Sequence, residues 1–285
     1  MAKILVTGTS KGIGYDASLY LARGGHEVIA TMRNPNNSDL GQVAEKESLP
    51  IDIHSMDVDD VSSVSSVFET VGKLDVLVNN AGILSSNAIE DEPLDVFEAV
   101  IKTNYLGIVR CCKAAIPRMR ESRSGCIINI SSVAGKMAIS PQAAYASSKH
   151  AVEAFSEVLA QEMFGFGVKV YLVEPGIIDT PMTTTELPVA NSGSLYPGGN
   201  RMNALMKFVA QGDAPAIVVS EKIQDLIENG SERFRHPVGP DSLIFLGYRL
   251  HTGDERFIST WGDSSDEGFA EKAKADMMMD LGPFL

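Results

Sequence analysis

The chain has 285 residues, 44% hydrophobic and 21% charged, an ordinary composition for a globular protein with one good core or two small ones. Its 24 Lys and Arg against 37 Asp and Glu leave a net charge of −13, which argues against neutralising nucleic-acid phosphates or binding acidic membranes. Solubility is the plain use of that charge. Three cysteines (Cys111, Cys112 and Cys126) cannot all pair within one chain, and none has metal-ligand spacing with the five histidines. Reduced thiols, a cytoplasmic location and no bound metal are expected. Met1–Val6 runs straight into a strand-like segment, leaving no room for a signal peptide. No apolar run approaches the roughly 20 residues of a membrane span.

Along the chain, apolar runs at Ile4–Val6, Glu27–Ala30, Ile51–Met56, Leu74–Val78, Ile127–Ile130 and Val168–Val173 read as buried parallel strands. Gly24-Gly25 closes the first helix between them. Val61, Val64, Val67 and Phe68 keep helical spacing, as do Val152, Phe155, Leu159 and Met163 in a longer helix beginning near Ala143. After Thr180 the residues 181–212 carry turn-forming punctuation and then an apolar helical patch at Met202, Leu205, Met206 and Phe208. Asp213–Glu228 reads as a helix, Arg233–Val238 as a last strand and Ser242–Leu250 as another helix, while the acidic tail from Gly262 has no assigned element. The alternation predicts an α/β fold: a Rossmann-type doubly wound, mostly parallel sheet of about seven strands with helices on both faces. Residues 1–285 are expected to form a single domain.

Thr7-Gly8-Thr9-Ser10-Lys11-Gly12-Ile13-Gly14 follows the first strand and opens a helix. Glycines there let the backbone turn tightly and approach a pyrophosphate, which suits the exposed N–H groups of a helix start. The spacing departs from the common dinucleotide fingerprint, and a turn made only for strand-to-helix packing would look the same. At the end of the second strand, where an acid would mark NAD(H), the residues are Ala30-Thr31-Met32-Arg33. Arg33 and Lys11 could grip a 2′-phosphate, which favours NADP(H) over NAD(H); the alternative is two solvated surface charges. Asp57-Val58 could meet the adenine, although Asp57 would serve equally as a helix N-cap. Asn79-Asn80-Ala81-Gly82 suits close cofactor approach or a simple strand-end turn.

Tyr145 and Lys149 stand one helical turn apart, so the ammonium can stabilise the phenolate of a group that otherwise titrates near 10. Tyr145 can then exchange a proton with a carbonyl or alcohol oxygen while hydride moves at carbon. With the turn at Thr7–Gly14, Asn79–Gly82, Asn104 in Thr103-Asn104-Tyr105-Leu106-Gly107, Ser132, and Pro175-Gly176 with Thr180, the chain resembles the short-chain dehydrogenase/reductase family in its compact single-domain branch. The likeness runs from Lys3 to about Met182 and more loosely to Val238. It implies a catalytic tetrad of Asn104, Ser132, Tyr145 and Lys149. Asn104 would help place a water that relays protons to Lys149, and Lys149 would also bind the nicotinamide ribose. Cofactor contacts would come from Gly8, Ser10, Lys11, Gly12, Ile13, Gly14, Arg33, Asp57, Val58, Asn80, Ala81, Gly82, Tyr145, Lys149, Pro175, Gly176, Ile178 and Thr180. Ser131 competes with Ser132; strand alternation sends the two side chains to opposite faces, and the family's spacing before its tyrosine selects Ser132.

The resemblance also makes residues 181–212 a lid and 241–285 a variable C-terminal extension. Met137, Ile139, Met202, Leu205, Met206 and Phe208 would line an apolar pocket for a lipophilic ketone or secondary alcohol, unless that patch is a subunit interface. Arg235–Gly239 is similar to the hydroxysteroid- and retinol-dehydrogenase-like group. The expected activity is an NADP(H)-dependent carbonyl reductase, with an NAD-dependent alcohol dehydrogenase or a non-catalytic NADP(H)-binding sensor or scaffold as alternatives. A homodimer or homotetramer, formed through the helices carrying Asn104 and Tyr145, is expected, with a small-molecule substrate and no nucleic-acid partner. His150, Cys111, Cys112 and Met277–Met279 read as surface or packing residues.

Overall fold

The computed structural model describes residues 1–184, 194–212 and 214–285. Seven strands form one sheet: β1 (Lys3–Thr7), β2 (Glu27–Met32), β3 (Ile51–Ser55), β4 (Val76–Asn79), β5 (Gly125–Ile130), β6 (Val168–Pro175) and β7 (Arg235–Val238). Every pairing is parallel, and the spatial order is β3-β2-β1-β4-β5-β6-β7. The sheet is thus wholly parallel rather than mostly so. Its strand order reverses between β1 and β4, and the crevice beyond their carboxyl ends is where such sheets bind ligands.

The apolar runs are continuous because both faces are covered. Ile4 and Val6 of β1 pack into one buried cluster, which includes Ala17 and Leu21 of α1 (Gly12–Arg23) and Leu40 of α2 (Leu40–Glu47). Leu5, between them, faces the opposite cluster with Val64 and Phe68 of α3 (Val61–Val71). After α4 (Leu94–Ile101), α5 (Gly107–Ser122) adds Cys111 and Cys112 to that second face, and α6 (Ala143–Phe164) adds Val152 and Leu159. Cys111, Cys112 and Cys126 are free thiols that burial pushes well above the usual thiol range, Cys111 and Cys126 to about 12, so they are inert packing groups.

Beyond β6 come the short α7 (Pro181–Thr184), α8 (Gly198–Val209) and α9 (Ile217–Glu228). The helix expected from Asp213 therefore starts later. Ala214 precedes a proline, which disfavours helical backbone, and Asp179 bridges to Pro215 instead. The C-terminal part is α10 (Ser242–His251), α11 (Asp254–Trp261) and α12 (Asp266–Met277). The tail left without an element thus folds, burying Phe269, Ala273 and Met277 at helical spacing in a third cluster with Met202, Leu205 and Phe245. Met279 is buried there too, whereas Met278 is exposed. No helix among the described residues is long and apolar enough to cross a membrane.

Candidate active site

The β1 and β4 turns are locked together at the sheet's switch point. Thr7 Oγ1 accepts from the N–H groups of Asn80 and Ala81, each at 3.0 Å, and Asn80 Nδ2 donates to the carbonyls of Thr7 (2.9 Å) and Gly8 (3.0 Å). Gly8 has φ +70°, and a Cβ there would stand 2.7 Å from Ala81 Cα, so any side chain would be strained and crowded at once. Gly14 is buried at the other end of the motif. A Cβ on it would meet Asn80 Nδ2 and the Gly8 carbonyl at 2.4 Å. Gly14 therefore packs α1 against the turns, behind the wall of the cleft.

That cleft, about 400 Å³, runs across the carboxyl ends of the strands. Its wall includes Gly8, Ser10, Lys11, Gly12, Ile13, Arg33, Asp57, Val58, Asn80, Ala81, Gly82, Ser132, Tyr145, Lys149, Pro175, Gly176, Ile178 and Thr180. Lys11, at the N-cap of α1, makes no side-chain capping hydrogen bond among the described residues, which leaves the positive end of that helix suited to an anion. Lys11 and Arg33, both exposed, stand at the same end of the cleft as Asp57. Asp57 does not cap α3; it accepts from the Asp59 N–H at 3.0 Å, and Asp60 caps the helix through the N–H groups of Ser62 and Ser63. An extended, glycine-floored cleft with an uncapped helix start and two cations fits a phosphorylated dinucleotide. Met32, Asp59, Ile83, Leu84 and Thr183 also line it; single-sequence reading offered no motif for them.

At the opposite end stand the candidate proton-transfer groups. Ser132 Oγ accepts from the Ala134 N–H at 3.1 Å and reaches the Tyr145 hydroxyl. Ser131 Oγ is buried without a hydrogen-bond partner among the described residues, on the side toward Gly135 and Glu153. The geometry thus brings Ser132, not Ser131, to Tyr145. Lys149 Nζ donates to the Ile130 carbonyl at 2.8 Å and lies 5.6 Å from the Tyr145 ring centroid. Burial lowers Lys149 to about 8, opposed by the charge of Glu153.

Burial also raises Tyr145, and the bond from Ser132 only partly offsets this. The expected lowering of the phenol by Lys149 is therefore not the net effect here. The Lys149 ammonium is directed to a backbone carbonyl instead.

Asn104 is fully buried and does not line the cleft. It lies in a single wider turn, Lys102–Leu106, where the Gly107 N–H reaches back five residues to the Lys102 carbonyl. Its side chain accepts from the Ile83 N–H (2.8 Å) and donates to the Ile83 carbonyl (2.9 Å) and Ser148 Oγ (3.0 Å). His150 is exposed and turned back to the Ala146 carbonyl, away from the cleft.

A smaller apolar chamber of about 70 Å³ opens from this end and shares Leu84, Ser132, Tyr145, Gly176, Met182 and Thr183 with the cleft. Met137, Ile139, Met202, Leu205 and Met206 line it as expected. Phe208 does not; it stacks edge-on against Phe284 at 6.1 Å, because the C-terminal segment offers it a closer apolar partner. Val133, Ala134, Gln142, Ile177 and Phe245 complete the wall, the last brought in from α10. Residues 185–193 of the expected lid lie outside the described residues. No cluster of three potential metal ligands occurs among those described.

The short chain dehydrogenase family model matches residues 2–189. The chain is 31% identical to an oxidoreductase of Botryotinia fuckeliana over 90% of its length and 97% of that protein. It is 40% identical to a 3-ketodihydrosphingosine reductase of Bacteroides thetaiotaomicron, over 63% of this chain and 65% of the relative. Among solved structures, a short-chain dehydrogenase of Streptomyces avermitilis superposes with a TM-score of 0.79 at 28% identity, covering 87% of this chain and 92% of that one. With this sheet, these turns and these matches, the chain belongs to the short-chain dehydrogenase/reductase family of oxidoreductases.

Proposed function

We propose that this oxidoreductase is an NADP(H)-dependent carbonyl reductase/alcohol dehydrogenase acting on a lipophilic ketone or secondary alcohol. The observation that carries the reading is the position of Tyr145 and Ser132, at the junction of the dinucleotide cleft and the apolar chamber. A bound nicotinamide would supply or accept the hydride. The start of α1 with Ser10, Gly12 and Ile13 would hold pyrophosphate, Arg33 and Lys11 the 2′-phosphate, and Asp57 and Val58 the adenine. Asn80, Ala81 and Gly82 would form the floor, and Pro175, Gly176, Ile178 and Thr180 would hold the nicotinamide amide.

Ser132 holds the substrate oxygen, and Tyr145 gives it a proton. A raised phenol keeps that proton until it is needed. Lys149, with a value near 8, is charged at neutral pH and stabilises the phenolate left behind. Asn104 acts at one remove, fixing the wider turn against Ile83 and Ser148. The methionine-rich wall suits a flexible apolar substrate, in keeping with the keto substrate named for the Bacteroides relative. Exposed Leu94, Leu106 and Val158, on the helices near Asn104 and Tyr145, fit assembly into a homodimer or homotetramer.

The test is a panel of long-chain, steroidal and retinoid ketones and aldehydes, with NADPH and NADH in parallel, following loss of reduced nicotinamide. Reduction of an apolar carbonyl with at least about tenfold higher kcat/KM for NADPH is expected, since one phosphate contact is worth about 1.4 kcal/mol or more. Preference for NADH would move the enzyme to the NAD-dependent alternative. Cofactor binding without turnover of any compound would favour the sensor.

A further inference from the structure

Behind Lys149 lies a charged cluster that the chemistry above does not use. Glu153 follows Lys149 by one turn on the same face of α6 and is 3% exposed. Glu174, 2% exposed, is the penultimate residue of β6, just before Pro175-Gly176. The two carboxyl groups meet, and each keeps one oxygen, Oε1, buried with no hydrogen-bond donor among the described residues. Two orphaned buried acceptors side by side are costly, and a single proton between them satisfies both.

The groups around the pair come from every element packed on it. Arg235 of β7 donates from Nε to Glu153 Oε2 at 2.9 Å, lies 3.8 Å from Glu174 Oε1 and reaches Glu157 of α6 at 3.4 Å. Lys136, in the turn after Ser132, lies 3.4 Å from Glu153 Oε2. Lys149 and Tyr145 continue the same stripe of α6 into the cleft, and Ser131 Oγ faces the pair from the end of β5.

We propose that Glu153 and Glu174 hold one proton between them, and that this buried carboxyl pair is a positioning element that sets how firmly Lys149 keeps its charge beside Tyr145. Burial and the neighbouring carboxylate push Glu174 up to about 7, and the negative charge of Glu153 supports the protonated form of Lys149. The effect of the pair on turnover rests on the oxidoreductase reading; the shared proton does not. Neutralising the two partners then acts unequally. Glu153→Gln removes the anion that supports Lys149. Glu174→Gln leaves that anion in place.

Two measurements test this in the full chain. The first is carbon-13 NMR of glutamate carboxyls across pH in the protein alone. One resonance is expected to titrate near neutrality and to vanish in Glu174→Gln; if all glutamates titrate in the ordinary carboxylate range, the shared proton is overturned whatever the enzyme does. The second is the pH profile of kcat for NADPH-dependent reduction. The alkaline limb should move down by roughly half a pH unit or more in Glu153→Gln and by clearly less in Glu174→Gln, whose carboxyl has already lost its proton at that pH. A merely structural role lowers kcat in both variants without moving the limb, and that result, or an equal or larger shift in Glu174→Gln, overturns the link to Lys149.

Discussion

Asn104 Nδ2 donates a 3.0 Å hydrogen bond to Ser148 Oγ, tying the wider turn before α5 to the helix that carries Tyr145 and Lys149. The same side chain spans both the N–H and the carbonyl of half-buried Ile83, so three polar partners depend on it. Asn104→Ala should cost about 2–4 kcal/mol in denaturant unfolding, since each orphaned buried group costs about 1–3 kcal/mol. Turnover should fall more than NADPH affinity, because the residue touches the helix of the acid–base pair and not the cleft.

Arg33 and Lys11 mark the adenosine end of the cleft. Arg33→Asp should raise KM for NADPH by about tenfold or more and leave KM for NADH within a few-fold, consistent with loss of one charge-assisted phosphate contact. Steady-state kinetics with both cofactors checks it. An unchanged preference would remove Arg33 from the site.

Lys149 is held at a cost to the fold. Lowering it from 10.5 to about 8 disfavours the charged form by about 3 kcal/mol, against about 1 kcal/mol for its bond to the Ile130 carbonyl. Lys149→Met should therefore be more stable than the parent by about 1–2 kcal/mol at pH 7 while losing turnover. Between pH 8 and 10.5 the unfolded chain binds the extra proton, so this group's contribution makes stability rise with pH. The gap between parent and variant should shrink through that window, as chemical denaturation at several pH values would show.

Arg201 joins the chamber to the C-terminal segment. Fully buried on α8, it donates to the carbonyls of Trp261 (2.9 Å), Asp263 (2.8 Å) and Ser265 (3.1 Å) and pairs with Asp266. Arg201→Met should cost about 3–5 kcal/mol by leaving those acceptors unpaired. With Met202, Leu205 and Met206 on the same helix, KM for the carbonyl substrate should rise while NADPH affinity holds.

The strands could be read because burial on both faces makes each a continuous apolar run, and Ile4–Val6 or Val168–Val173 needs no tertiary knowledge. Tyr145, Lys149 and the glycine turn were equally visible, being local spacings. Asp57 against Asp60 was not separable, since both precede the same helix and only the backbone decides which caps it. Phe208 and Phe245 exchange roles because the C-terminal segment, nearly forty residues beyond the chamber helix, covers one and presents the other. The Glu153–Glu174 contact joins a helix to a strand and leaves no mark in either segment's pattern. Gly14 lies in the motif but serves packing, a distinction carried only by the clash its Cβ would make with Asn80.

The most direct measurement compares Tyr145→Phe with the parent in single-turnover reduction of a lipophilic ketone, alongside NADPH binding by fluorescence. Removing one hydroxyl should slow the chemical step by about 10²–10⁴-fold and leave the NADPH dissociation constant within a few-fold. A variant that reduces the ketone at nearly the parent rate would contradict proton transfer by Tyr145.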